Sequence, residues 1–223
     1  MKRVLVISPH PDDETLGAGG TILKHKKRGD EIFWLNITGI HTEQGYTEDD
    51  IIYRNEVIKK VAQTYRFNDF FDLNLPTTQL DKIPIAQLIE KISEVLKKIK
   101  PSILYLPFKD DVHSDHQIVF KACWAATKTF RYPFIEKVLM MEIISETDFA
   151  PPLQTSIFVP NVFVDITEFM EKKLEILKLY DRELGVHPFP RNLENVKALA
   201  MYRGSLCNAN FAESFMLLKE ILK

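Results

Sequence analysis

The sequence predicts an α/β fold, a Rossmann-like, doubly wound and mostly parallel sheet flanked by helices. Short apolar runs typical of buried strands alternate with segments of helical periodicity along the chain. The chain has 223 residues with 45% hydrophobic content, which is enough for a full buried core. No internal repeat or low-complexity segment interrupts it, so we expect one domain over residues 1–223.

The individual elements follow from apolar runs and from helical spacing. The strand-like runs are 3–8, 31–38, 68–73, 102–107 and 137–144, with another strand expected near 161–166. The clearest helix is 84–99, where six isoleucine and leucine residues fall on one face, and 48–66 and 115–130 show the same spacing less strictly. A further helix is expected over 168–184, where VHPFPRN ends it, and helical segments are expected to close the chain.

Composition excludes several classes of function. The 29 basic and 31 acidic residues nearly balance, so no nucleic-acid or membrane-surface footprint is indicated. The two cysteines, Cys123 and Cys207, lack the spacing of a disulfide framework or a thiolate zinc site. The N-terminal apolar run is too short for a signal peptide, and no window reaches transmembrane length. We therefore expect a cytoplasmic protein.

The first strand leads directly into the motif SPHPDDE, residues 8–14, which is followed by LGAGG. Acidic residues are common at helix N-termini, where they accept hydrogen bonds from free N–H groups. We expect Glu14 either to do this or to support the site from behind. The glycines would let the first helix lie close to the sheet. The segment is not GxGxxG, and its carboxylates would repel a pyrophosphate, so dinucleotide binding is a poor fit.

A second polar loop, FKDDVHSDH, follows the fourth strand and carries His113, Asp115 and His116. In a doubly wound sheet the first and fourth strands are commonly neighbours, and their carboxyl ends border the ligand crevice. His10 and these residues should therefore meet. Two imidazoles and a carboxylate form a three-ligand catalytic metal site with an open position for water. Spacing alone leaves open which of Asp12 and Asp13, and which of His113 and His116, binds the metal.

PHPDDE followed about a hundred residues later by HSDH resembles the LmbE-like, or PIG-L, family of metal-dependent N-acetylglucosamine deacetylases. The likeness extends to YRNE at 53–56, MEIISET at 141–147 and the segment from Arg203 to Phe215. The resemblance implies a zinc enzyme, with iron possible in the same site, that hydrolyses the acetamide of a small N-acetylated amino sugar. It also fits a homo-oligomer, as is common among soluble enzymes.

The same resemblance implies individual roles for six residues. His10, Asp13 and His116 match the zinc ligands of the family, and Asp12 matches its general base. His113 matches the histidine that stabilises the developing oxyanion, and Asp115 matches the carboxylate that orients His113.

Arg54 is a further candidate, because it falls on the inward stripe of the second predicted helix, near the active edge of the sheet. A buried charge needs a partner or a wet cavity. We interpret Arg54 as a substrate-binding residue, with a structural ion pair as the equal alternative.

Two other functions compete with hydrolysis. Two histidines and one carboxylate also form the facial triad of non-haem iron enzymes, although such a site does not need Asp12 beside the ligands. A non-catalytic sugar-binding module with a structural metal is the second alternative, which a closed four-ligand site would favour.

Overall fold

A computed structural model describes all 223 residues. Its seven strands form one sheet in the order β3-β2-β1-β4-β5-β7-β6. The strands are β1 (Arg3–Ser8), β2 (Glu31–Gly39), β3 (Asp69–Pro76), β4 (Ile103–Leu106), β5 (Lys137–Met141), β6 (Val162–Asp165) and β7 (Ala212–Glu220). The first five run parallel, whereas β7 is antiparallel to both β5 and β6. The doubly wound, mostly parallel sheet is thereby confirmed.

Six α-helices cover the sheet. They are α1 (Asp13–Lys27), α2 (Glu48–Tyr65), α3 (Ile85–Ile99), α4 (Ser114–Ala125), α5 (Met170–Leu177) and α6 (Leu193–Ser205). Helices α1, α2, α5 and α6 pack on one face, and α3 and α4 pack on the other. Because side chains of a strand alternate between faces, Val4 and Val6 of β1 join the first core while Leu5 and Ile7 join the second. None of the helices combines the length and apolarity that crossing a bilayer requires.

The expected helical end of the chain is wrong, because residues 212–220 form strand β7. Its sequence AESFMLLKE is rich in residues that favour helices locally. Here the strand fills the gap between β5 and β6 and hydrogen-bonds to both, so tertiary pairing overrides local preference.

Three other elements are shorter than expected. Helix α4 ends at Ala125 rather than at 130, and β5 ends at Met141 rather than at 144. Helix α5 ends at Leu177 instead of continuing to 184. The chain turns there so that the buried Tyr180 points its hydroxyl back to Glu14 at the start of α1.

Close packing places α1 on the sheet, as its glycines predicted. A Cβ at Gly20 would lie 2.7 Å from the Cβ of Ile166, and one at Gly17 would lie 2.9 Å from the Cβ of Met141. A buried ion pair between Lys173 of α5 and Glu213 of β7, 2.7 Å apart, also anchors the helix. Glu213 accepts the backbone N–H groups of residues 20 and 21 in α1.

Candidate active site

The two polar loops lie side by side at the carboxyl edge of the sheet. Strand β1 pairs with β4, so the chain leaving Ser8 and the chain leaving Leu106 emerge as neighbours. Helix α1 follows β1 and helix α4 follows β4, and the two helices pack on opposite faces of the sheet. This pair of strands is therefore the switch point where ligands bind in such folds.

Three potential ligand atoms converge at this point. His116 Nε2 lies 3.2 Å from His10 Nδ1 and 3.3 Å from Asp13 Oδ2, and His10 Nδ1 lies 3.6 Å from the same Asp13 oxygen. Metal–ligand bonds of about 2.0–2.1 Å in a tetrahedron put ligand atoms about 3.3–3.4 Å apart. The spacing of these three atoms therefore fits a small divalent metal such as zinc.

Hydrogen bonds at the opposite ring nitrogens set the tautomers of both histidines. His10 Nε2 is 3.1 Å from Asp115 Oδ2, and His116 Nδ1 is 2.8 Å from Asp111 Oδ2. A neutral imidazole that donates at one nitrogen offers a lone pair at the other. His10 Nδ1 and His116 Nε2 thus present lone pairs to one another and to Asp13. That donor set is suited to a cation.

Asp111 is a functional residue that sequence reasoning missed. It is fully buried, and its second oxygen accepts the hydroxyl of Thr147 at 2.7 Å. The Thr147 oxygen in turn accepts the N–H of Ile143, just beyond β5. This series of hydrogen bonds fixes the carboxylate of Asp111, which in turn holds His116. The adjacent pair Asp110-Asp111 in the loop was the available signal.

A second trio of potential ligands, His10, His113 and Asp115, also lies close together. Its carboxylate is already engaged, because Asp115 Oδ2 accepts the N–H of Thr78 at 2.6 Å and Oδ1 that of Leu80 at 3.3 Å. It also accepts the proton of His10. The trio of His10, Asp13 and His116 is therefore the better candidate for a metal site.

Electrostatics around the first trio favour positive charge. Burial lowers the pKa of His116, but the carboxylates of Asp13 and Asp111 outweigh it and raise that pKa well above its usual value. Burial works against ionisation of Asp13, yet His116 and His10 hold its pKa at about 2. A proton and a metal ion would therefore compete for the same lone pairs.

Asp12 differs from the other carboxylates of the site. It is 6% exposed, lines the cavity, and its carboxylate accepts no hydrogen bond from the protein. Burial, followed by the charges of Asp13 and Glu183, raises its pKa well above the usual range. A buried carboxylate with raised pKa and free lone pairs is suited to accept a proton.

The backbone of Asp12 has an unusual conformation, with φ of 122°. Glu14 supports it: Glu14 Oε2 accepts the Asp12 N–H at 3.1 Å, and Oε1 accepts the hydroxyls of Thr15 and Tyr180 at 2.6 and 2.8 Å. Glu14 is fully buried, and burial raises its pKa to about 7. Glu14 lies in the first turn of α1, and its hydrogen bonds also fix the loop that carries Asp12.

His113 lines the cavity beside His10, with ring centroids 4.4 Å apart. Burial and the neighbouring charges of His10 and His116 lower its pKa to about 4. Its Nδ1 accepts the backbone N–H of Asp115 at 3.1 Å, so the neutral ring carries its proton on Nε2. The Asp115 carboxylate, expected to orient His113, contacts His10 instead. The expected partner is therefore corrected: the Asp115 main chain orients His113, and its side chain orients His10.

A cavity of about 450 Å³ opens next to Asp12 and His113. Arg54 lines it, 21% exposed and 3.5 Å from Glu183, so both the predicted cavity and the predicted ion pair are present. The segment 178–192 supplies much of the remaining wall, which sequence reasoning missed. Its cavity residues are Tyr180, Arg182, Glu183 and Arg191.

The remaining histidines lie outside this site. His25 is a structural residue between Asp30 and Tyr105, at 2.8 and 3.1 Å. His41 contacts a main-chain oxygen of β3, and His187 is exposed.

Known proteins share this architecture and sequence pattern. Diacetylchitobiose deacetylase of Thermococcus kodakarensis is 24% identical over 96% of this chain and 82% of its own length. A Bacillus anthracis protein named probable N-acetyl-alpha-D-glucosaminyl L-malate deacetylase 2 is 23% identical over 80% of each chain. The solved structure of N,N'-diacetylchitobiose deacetylase from Pyrococcus horikoshii superposes with a TM-score of 0.78 at 21% identity, covering 98% of this chain and 84% of that one.

The pattern of the GlcNAc-PI de-N-acetylase family, PIG-L, matches residues 5–127, which include both polar loops. Since this is more than half of the 223 residues, the chain belongs to the PIG-L family.

Proposed function

We propose that this protein is a metal-dependent N-deacetylase that removes the acetyl group from an N-acetylglucosamine-type sugar or glycoconjugate. One observation carries the proposal: three lone-pair atoms that fit a divalent metal lie beside a buried carboxylate, Asp12, that has no partner in the protein. The family and the deacetylase names of relatives support the same reaction class.

His10, Asp13 and His116 would hold the metal, with zinc favoured by the nitrogen and oxygen donors and iron possible. A divalent cation bound there would lower the pKa of a water molecule and polarise the acetyl carbonyl. Asp111 and Asp115 position the two histidines for this purpose through their carboxylates.

The protein's own groups perform the proton transfers. Asp12 takes a proton from the attacking water as the carbon–oxygen bond forms. His113, neutral with its proton on Nε2, donates a hydrogen bond to the acyl oxygen as negative charge develops there. When the carbon–nitrogen bond breaks, Asp12 passes its proton to the leaving nitrogen, and acetate and a free amine result.

Arg54 would bind the sugar. No protein group accepts a hydrogen bond from its guanidinium, and its nearest carboxylate oxygen, on Glu183, is 3.5 Å away. A largely buried guanidinium with unused donors that faces a cavity is suited to hydrogen-bond substrate oxygens.

Asp12 distinguishes the proposed hydrolysis from the two competing functions. An iron enzyme of the facial-triad type has no role for a free carboxylate beside its ligands, and a structural metal would close its coordination with a fourth protein ligand. The carboxylate of Asp12 is unengaged, which favours hydrolysis over both.

Acetate release tests the proposal. Metal-stripped protein would be assayed on N-acetylglucosamine and a panel of its conjugates, with and without Zn²⁺ or Fe²⁺. We expect metal-dependent acetate that disappears in Asp12→Ala while that variant still binds metal. Asp12→Ala with most of its activity would refute the assignment of the base. Metal binding without acetate from any conjugate would refute the reaction.

A further inference from the structure

The cavity wall that faces the site carries a row of alternating charges. We call Arg54, Glu183, Arg191 and Glu146 the charged wall. All four line the same cavity as Asp12 and His113. Glu183, Arg191 and Glu146 take no part in the proposed proton transfers, so their presence in the cavity needs a separate explanation.

Contacts within the charged wall are loose. The guanidinium of Arg191 lies 3.5 Å from Glu146 and 3.9 Å from Glu183, and Arg54 lies 3.5 Å from Glu183. Good charge-assisted hydrogen bonds are about 2.7–2.9 Å long. The side chains of these four residues are only 12–32% exposed, yet the Glu183 carboxylate accepts no hydrogen bond from the protein. Glu183 lines the cavity, so a ligand bound there can donate hydrogen bonds to its free carboxylate oxygens.

The anchoring of Arg191 shows that the wall is built rather than a chance surface arrangement. Its Nε donates to the main-chain oxygen of Glu183 at 3.2 Å, and one terminal nitrogen donates to Ser145 Oγ at 3.0 Å. Its position is therefore fixed by the segment 178–192 on one side and by the turn after β5 on the other.

The balance of charge indicates what kind of ligand fits. The wall holds two arginines and two glutamates. Burial raises the pKa of Glu146 to about 7, so its negative charge is only partial near neutral pH. The third cavity arginine, Arg182, is already paired with Asp50 at 2.8 Å. Each arginine of the cavity therefore has a carboxylate oxygen within 3.5 Å, although Arg54 still has unused donors. An anionic ligand group placed against the wall would meet Glu183 or Glu146, whereas a hydroxyl group can donate to a carboxylate and accept from a guanidinium.

We propose that the charged wall binds uncharged hydroxyl groups of the substrate, and that it discriminates against a substrate carrying an anionic group at this position. This inference rests on the proposed function and narrows its substrate class to neutral glycosides of N-acetylglucosamine.

The experiment compares two ligands with the same carbon skeleton, which differ in charge and in two ester methyl groups. One is N-acetylglucosamine linked to a dicarboxylic acid such as malate, and the other is the dimethyl ester of the same compound. Binding is measured by calorimetry in metal-loaded Asp12→Asn protein, which keeps the wall and prevents turnover. We expect the neutral ester to bind at least about tenfold more tightly than the dianion.

Glu183→Gln removes one negative charge from the wall, and we expect it to reduce the preference for the ester by about tenfold in the same background. Glu168→Gln is the matched control, because Glu168 is exposed, pairs with Lys27 and lies outside the cavity. It should leave the preference unchanged.

The outcomes separate the inference from the proposed function. Equal or tighter binding of the dianion, or an equal effect of both glutamine variants, overturns the inference. Acetate release from both compounds at equal rates by wild-type protein also overturns it while supporting the deacetylase. A neutral preference abolished by Glu183→Gln supports the wall even where no acetate is released, in which case only the proposed reaction fails.

Discussion

The substitution Asp111→Asn examines how the site prepares His116 for a metal. The asparagine oxygen can still accept one hydrogen bond, but the negative charge that faces His116 Nδ1 at 2.8 Å is lost. Thr147 then loses its acceptor or competes with His116 for the remaining oxygen. Because Asp111 is fully buried, solvent does not replace the lost interaction.

We expect the affinity for Zn²⁺ to fall about 10–100-fold, which is the usual effect of losing a carboxylate behind a histidine ligand. This corresponds to about 1.4–2.7 kcal/mol. The effect should depend on pH. The pKa of metal-free His116 is raised well above its usual value, partly by Asp111, so below that pKa a proton competes with the metal in the wild type. Asp111→Asn weakens this competition. The difference in Zn²⁺ affinity between the wild type and the variant should therefore shrink as pH falls.

Competition with a chromophoric chelator, at several pH values, measures these affinities. Asp110→Asn is the matched control, since Asp110 is adjacent in sequence, pairs with Lys109 and does not contact His116. Circular dichroism verifies that both variants fold. An unchanged affinity in Asp111→Asn, or an equal loss in Asp110→Asn, would show that the Asp111 carboxylate does not support the metal ligand.

Three further substitutions test the framework by urea unfolding. Glu14→Ala leaves three buried donors unpaired, including the N–H of Asp12. At about 1–3 kcal/mol for each donor, the free energy of unfolding should fall by several kcal/mol. Glu14→Gln keeps an acceptor and should lose clearly less stability, so equal losses in the two variants would contradict this account. Gly20→Ala forces a Cβ to within 2.7 Å of Ile166 and should destabilise by about 1–3 kcal/mol, so wild-type stability would refute the close packing of α1. Lys173→Met leaves the buried carboxylate of its partner on β7 without a cation and should lower the free energy of unfolding by about 3–5 kcal/mol. An unchanged urea midpoint would mean that solvent reaches the ion pair.

The position of the site could be predicted from the sequence because parallel strands share a carboxyl edge. Strands β1 and β4 were recognisable as apolar runs, and each was followed by histidines and carboxylates. Once the two strands are neighbours, His10, Asp13 and His116 have to lie close together although about a hundred residues separate them. The pairing of β1 with β4 supports that step directly.

Other parts could not be predicted, for two physical reasons. Local composition does not report tertiary pairing, so the sequence of 212–220 predicts a helix although the segment forms an inner strand of the sheet, between β5 and β6. Loop conformation is likewise invisible in spacing: the direction of Asp111, and the path that takes 178–192 across the cavity, depend on turns set by the surrounding packing.

The crowding of acidic residues at the site is resolved by hydrogen bonding. Asp13 accepts a main-chain N–H, Asp111 accepts a hydroxyl and an imidazole, Asp115 accepts two main-chain N–H groups and an imidazole, and Glu14 accepts an N–H and two hydroxyls. Each of these carboxylates is thereby held in one orientation by its partners in the protein. Among the acidic residues of the two polar loops, only Asp12 accepts no hydrogen bond from the protein, so its lone pairs stay available for a proton. The neighbouring acidic residues carry the same carboxyl group as Asp12. Their different role comes from the hydrogen-bond donors that the fold places beside them and does not place beside Asp12.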